Sequence, residues 1–249
     1  MARRALIVWG GWPGHQPDLV ADIFAGLLRG EGFEVDVSDT LDAFSDAEKL
    51  TALHLIVPIW TMGEIDKARV RNVSLAVQTG TGLAGCHGGM CDAFRSNVDW
   101  HFMTGGQWVA HPGNDGVEYK VEIRHSSSPL LEGIGDFVVR SEQYYLHVDP
   151  AVEVLATTRF PTVPGPHAAN GPVDMPVVWT KRWGLGRVFY CSLGHQADIV
   201  AMPQVKEIMR RGFLWAAEGK DKALELQDDD SARVGLIDAQ YTGMGDSPN

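Results

Sequence analysis

The sequence predicts an α/β protein: a doubly wound, mostly parallel sheet with antiparallel additions in its C-terminal half. Between Arg4 and Arg95, apolar runs alternate with helical stretches across short links, the pattern of strand-helix-strand units. Arg4 to Trp9 is continuous, as in a strand covered on both faces, whereas Phe33 to Val37 alternates. After Arg95 the helices give way to strands ending in a glycine-turned hairpin.

Arg4 to Trp9 is the first strand, followed by the loop Gly10 to Pro17. Asp18 to Arg29 carries Leu19, Ile23, Leu27 and Leu28 at helical spacing, with Gly30 and Gly32 as its stop. Phe33 to Val37 predicts a second strand, Asp46 to Leu53 a short helix, Leu55 to Trp60 a third strand and Ile65 to Gln78 an amphipathic helix. Thr81 to Cys86 is a buried strand that stops in glycines before a helix opening near Met90. Asn97 to Gly113 has no clear period and is expected as an ordered loop crossing the sheet edge. Tyr119 to Arg124, Phe137 to Arg140 and Val152 to Thr157 predict strands, Ser126 to Pro129 a turn, and Phe160 to Pro176 a surface loop. Val177 to Trp183 and Arg187 to Ser192, joined by Gly184-Leu185-Gly186, form a hairpin. Pro203 to Glu218 is the closing helix, with Val205, Ile208, Met209, Phe213 and Leu214 as its core face. Residues 1–219 are thus expected as one domain, and 220–249 as a tail or subunit-exchanging arm. Within that tail Asp228-Asp229-Asp230 is a solvated charge run, and Val234 to Ile237 offers an apolar stretch to a neighbouring subunit of a homo-oligomer.

The 249 residues are 45% hydrophobic, enough for an ample core, and the formal net charge of -11 disfavours nucleic acid or an anionic membrane as partner. A small neutral or cationic ligand fits better. Three cysteines, Cys86, Cys91 and Cys191, are few and odd in number, as in a reduced cytoplasmic protein. The apolar residues before Gly10 are too few for a signal-peptide core, and no run spans a bilayer.

The chemistry concentrates at Gly85-Cys86-His87-Gly88-Gly89, the spacing of a nucleophile elbow with histidine in the nucleophile's place. A histidine there serves as a general base, a hydrogen-bond donor or a metal ligand, or is a satisfied turn residue. Cys86 is one residue out of register and should point into the sheet. His15, His87, His111, His147 and His195 lie at strand ends or beside glycine and proline, and form the pool of candidate metal ligands. No pair has the i, i+4 spacing of a helical metal motif, so a site would be assembled from separate loops. Glu142, beside Tyr144 and Tyr145, is the best carboxylate candidate, against an exposed strand glutamate. Trp12, Trp60 and Trp108, with the two tyrosines, are candidate substrate-binding aromatics, the alternative for the tryptophans being plain core. Asp92 and Arg95 read as a supporting ion pair.

Taken together, Gly14-His15, Gly85-x-His87-Gly88-Gly89, Gly106-x-x-x-x-His111-Pro112, Ser141-Glu142-x-Tyr144, Pro176-x-x-Trp179, Gly184-x-Gly186-Arg187-Val188-Phe189-Tyr190 and Leu193-Gly194-His195 resemble the ThuA family of trehalose-utilisation proteins. The resemblance spans about Ala5 to Glu218 and implies a flavodoxin-like core related to class I glutamine amidotransferases, with His87 where those enzymes carry the nucleophilic cysteine. It also implies a role in catabolism of trehalose and related disaccharides, downstream of oxidation of one ring to its 3-keto form. The expected chemistry is C2 proton abstraction by Glu142 or His87, by an isomerase, epimerase or lyase, with a divalent metal such as zinc or manganese as candidate cofactor and no nucleotide cofactor. The alternatives are a non-catalytic sugar-binding or regulatory protein and an amidotransferase-like hydrolase using Cys86 or Cys91.

Overall fold

The structure, a computed structural model, describes residues 2–124, 128–161 and 163–228. The turn expected at Ser126 to Pro129 lies partly outside them, the charge run at Asp228-Asp229-Asp230 mostly so, and the stretch Val234 to Ile237 wholly so.

Five parallel strands form the core of the sheet: β1 (Arg4–Gly11), β2 (Glu34–Ser38), β3 (Leu55–Thr61), β4 (Gly82–Cys86) and β11 (Gly186–Cys191), in the order β2-β1-β3-β4-β11. Ala5 and Ile7 pack on one face with α1 (Pro17–Gly30) and the closing helix α7 (Pro203–Asp228). Leu6 and Val8 pack on the other with α3 (Lys67–Gln78), α5 (Val98–Thr104) and the residues around α2 (Ala47–Thr51). This burial on both faces is why β1, β3, β4 and β11 read as apolar runs, while β2 at the sheet edge alternates and is largely exposed. In α1 the core stripe is Val20, Ala21, Phe24, Ala25 and Leu28, one residue out of phase with the expected set, so Leu19 is exposed.

The sheet continues with four antiparallel strands, β10 (Val173–Trp183), β9 (Glu153–Phe160), β6 (Val117–Ile123) and β7 (Phe137–Ser141), giving nine among the described residues. A bulge at Pro176–Val178 accommodates the proline, which has no N–H for a regular ladder, and lets β10 begin at Val173 inside the expected surface loop. The segment 97–113 is not a loop. Asn97 accepts a hydrogen bond from Trp100 N (2.9 Å) and starts α5, and β5 (Gly106–Ala110) then pairs with β8 (Tyr145–Val148) in a separate two-stranded sheet. Two short helices complete the fold: α4 (Gly88–Cys91) straight after β4, and α6 (Ala197–Ala201) after β11.

The closing helix does not stop at Glu218. It runs unbroken to Asp228, Lys220 donates to Thr51 O (2.6 Å), and Ala223 is buried, so the boundary expected after residue 219 falls inside a packed helix. No described helix is long and apolar enough to cross a membrane.

α7 lies so close to β4 that a Cβ on Gly82 would stand 2.5 Å from Ala216 C and O, both backbone atoms that cannot move aside singly. Gly82→Ala is expected to destabilise the protein by about 1–3 kcal/mol, the usual cost of overpacking. An unchanged midpoint in urea unfolding would contradict that packing.

Candidate functional site

Each parallel strand ends at the same edge, and the loops there carry the chemistry. At the end of β4 the chain turns at His87, whose φ of 47° and ψ of -138° are strained for any residue with a Cβ. The turn is held by His87 N donating to Cys191 O (2.7 Å) and Tyr190 Oη donating to His87 O (3.0 Å). Its glycines permit close approach: a Cβ on Gly88 would stand 2.7 Å from the His15 ring, and one on Gly89 2.9 Å from Ile59 Cα. The elbow geometry is therefore real, with an imidazole at its apex.

His15 comes from the 3-10 turn after β1, His195 from the loop after β11, and Glu142 from the chain between β7 and β8. All four are buried, at 6% exposure or less. Three ring nitrogens converge on one carboxylate oxygen: His87 Nε2 is 3.1 Å, His195 Nδ1 3.3 Å and His15 Nε2 3.8 Å from Glu142 Oε2. Together the four ligand atoms lie within 4.8 Å of one another, a set that could hold a metal ion. His111 stands apart, its Nε2 3.9 Å from the other carboxylate oxygen, Oε1, and its side chain partly exposed.

Supporting contacts orient this set. His87 Nδ1 lies 2.8 Å from Ser192 O; a carbonyl only accepts, so Nδ1 carries the proton and Nε2 turns a bare lone pair toward Glu142. His15 Nδ1 bonds Thr61 Oγ1 at 2.8 Å. Gln16 Oε1 accepts from Ala197 N (3.2 Å), which ties the loop bearing His15 to the loop bearing His195 and leaves Gln16 out of the cluster. Tyr119 Oη donates to Glu142 O (2.9 Å) and Gln143 Nε2 to Thr158 Oγ1 (2.8 Å), fixing the strap that delivers Glu142. Thr61, Ser192 and Asp115, which lies 4.0 Å from His195 Nε2, were not singled out in the sequence. Thr61 at least was findable, at the end of a strand beside Trp60.

Electrostatics sharpen the picture. Burial pulls the His87 imidazole down to about 4, against the opposing pull of the nearby Glu142 carboxylate, so it is neutral at pH 7. Burial also opposes ionisation of Glu142, yet His15, His195 and His87 outweigh it and hold the carboxyl far below its usual range. Burial alone would lower His195, but the adjacent Glu142 charge raises it. A neutral Nε2 lone pair thus faces an ionised carboxylate at 3.1 Å, two acceptors with no proton between them. That is an arrangement a cation relieves, and imidazole nitrogens together with a carboxylate oxygen are a donor set for a divalent metal.

The other candidates divide. Tyr144 stacks on His87 with ring centroids 3.9 Å apart, and Trp12, 42% exposed, meets His15 edge-on at 4.8 Å. Trp108 reaches the cluster through His111 (5.5 Å) and Tyr144 (6.4 Å). Trp60 instead packs its ring against Gly10 and Gly63, where a Cβ would come within 2.7 Å. Tyr145 turns away and bonds His167 Nε2 (2.8 Å). His147 is exposed on β8 opposite Gln107 and lines a shallow depression with His101, Phe102 and Pro150, outside the four-residue set. Asp92 and Arg95 form the expected ion pair, at 2.5 and 3.0 Å.

The fold and this cluster define a class: an α/β protein with a histidine-carboxylate centre at the carboxyl edge of a parallel sheet. Within it the chain belongs to the ThuA family, described as trehalose utilisation, which matches residues 4–216. A ThuA-like protein from Parabacteroides merdae shares 18% identity over 88% of this chain and 91% of its own, with a TM-score of 0.70. One from Bacteroides uniformis shares 20% over 86% and 91%, with a TM-score of 0.69. A cytoplasmic protein from Salmonella typhimurium LT2 has 13% identity over 88% and 98%, and a TM-score of 0.60. At these identities the likeness bears on the fold. No curated protein matches the chain.

All three cysteines are buried, and burial raises each thiol, Cys191 to about 12 and Cys86 and Cys91 higher still. Iodoacetamide at pH 8 is expected to label none of them in the native protein and all three in urea. Native-state labelling of Cys86 or Cys91 would reopen the amidotransferase-like alternative.

Proposed function

We propose that the protein is an enzyme of trehalose and related disaccharide catabolism that acts on a 3-keto sugar by removing the C2 proton, as an isomerase, epimerase or lyase. The observation that carries this is the convergence of three imidazole nitrogens on one oxygen of an ionised, buried carboxylate. A divalent cation held by His15, His87, His195 and Glu142 Oε2 would supply Lewis acidity for the keto oxygen at C3. Glu142 Oε1 points away from that convergence toward His111 and is the group that takes the C2 proton. The electron pair of the C–H bond moves into the C2–C3 bond and the carbonyl pair onto oxygen, giving an enediolate. Return of the proton from Glu142 to the other face of C2 gives an epimer; its delivery to C3, with the C2 hydroxyl proton passing to the C3 oxygen, gives an isomer with the ketone at C2. Alternatively the oxygen pair re-forms the C3 carbonyl, a C1–C2 double bond forms, and the group at C1, β to the ketone, leaves with its bonding pair and the proton held by Glu142, giving a lyase product. Tyr144 stacks on the His87 ring, and the exposed Trp12 offers an aromatic surface beside His15 for the reacting ring. The amidotransferase-like alternative needs an accessible thiolate, which three buried cysteines of raised pKa do not provide.

Two experiments test this. Incubated with 3-keto-trehalose in deuterated buffer, with zinc or manganese restored, the protein is expected to exchange or eliminate at C2, and Glu142→Gln to lower that rate by about 10²–10⁴-fold. Absence of both exchange and product by NMR would leave a sugar-binding protein. Elemental analysis of untagged protein should find close to one equivalent of transition metal. Thr61→Val, which removes the partner of His15 Nδ1, should weaken zinc binding about 10–100-fold in a competition titration with a chelator. Chelator-resistant turnover would remove the cation and leave Glu142 and His87 as an acid/base pair.

A further inference from the structure

The turn that follows the elbow helix carries a polar pair that the chemistry above does not use. Asp92, buried at 3% exposure, grips Arg95 through both carboxylate oxygens, and the guanidinium carbon sits 4.3 Å above the centre of the Trp108 ring. Only Nε and Nη2 are engaged; among the described residues Nη1 has no protein partner, and the side chain is 42% exposed. The backbone is shaped to place it there. Phe94 takes a φ of 51°, unusual for an aromatic residue, and Met62 N, Met62 O and Gln107 Nε2 bond Asp92 O, Phe94 N and Arg95 O. A fork locked in plane, with one donor pair spare and a rigid ring beneath it, loses little entropy when it binds a hydroxyl.

A row of rings joins this group to the cluster: His87 stacks on Tyr144 (3.9 Å), Tyr144 and His111 are 6.2 Å apart, and Trp108 follows at 5.5 Å from His111, with Arg95 at the outer end. The row leads outward from the cluster to the exposed guanidinium, the course that a group attached to the ring under attack would take. Asp92 neutralises the guanidinium, so the site suits neutral hydroxyls rather than a carboxylate or phosphate.

Resting on the reaction proposed above, we propose that Arg95, held flat on Trp108 by Asp92, is the residue that reads the group joined at C1 of the reacting sugar, donating from Nη1 to a hydroxyl of a neutral second ring. The test is calorimetric binding of trehalose and of methyl α-glucoside to the wild-type protein and to Arg95→Lys. The lysine variant keeps a countercharge for Asp92 and hence the fold, which a thermal melt verifies. The wild type should bind trehalose about tenfold more tightly than the one-ring glycoside, the scale of one charged hydrogen bond, and Arg95→Lys should bring the ratio near one. A wild-type ratio near one, whether both sugars bind alike or neither binds, overturns the assignment, as does a ratio that survives in the variant. Turnover is scored separately. A two-ring preference without C2 exchange removes the reaction and keeps the contact; exchange without the preference removes the contact and keeps the reaction.

Discussion

Glu142 Oε2 is the point on which the site depends. Three imidazoles aim at it from three different loops, and in a buried setting the electrostatic forces among these groups are not diluted by water. Each surrounding feature serves to hold that convergence: the strained backbone at His87, the carbonyl of Ser192 that fixes its tautomer, the hydroxyl of Thr61 behind His15, and the buried strap from Glu142 to Tyr144. Removing a single member leaves a buried polar group facing nothing, a cost of about 1–3 kcal/mol that the fold has no other way to recover.

The inner strands of the parallel half were legible because burial on both faces leaves little room for polar residues, and Gly85-x-His87-x-Gly89 was legible because only glycine lets β4, the elbow and its neighbours approach so closely. What escaped is equally physical. Helix α5 is only seven residues long, and its buried Trp100, His101, Met103 and Thr104 mix polar with apolar groups, so no period emerges. The bulge at Pro176 lets a proline sit inside a strand, against the rule by which the segment had been assigned to a loop. His147 and His195 look alike in sequence, one at a strand beside aromatic residues and one after glycine, yet only the second comes from a loop at the carboxyl edge of the parallel block.

Glu142 shows the limit most clearly. Nothing near it in the chain announces three histidines as partners, because the contact with His87 alone spans 55 residues and the strand that precedes it lies at the far edge of the sheet. Its choice as carboxylate rested on neighbouring tyrosines, of which Tyr144 packs on His87 while Tyr145 faces the other way. Adjacent residues of an extended segment point to opposite sides, and from sequence alone either could have been the inner one.

The four members of the cluster come from positions 15, 87, 142 and 195, so the binding site exists only when both ends of the sheet have been brought together. An unfolded chain, with these groups separated by long loops, offers no equivalent, and the site is completed late because such distant closures are slow. A ligand that needs all four therefore binds the native state alone, and its occupancy acts as a thermodynamic clamp: at a hundredfold excess over its dissociation constant it adds about 2.7 kcal/mol to the folding free energy. The abundance of intact protein in a cell would then track the supply of that ligand.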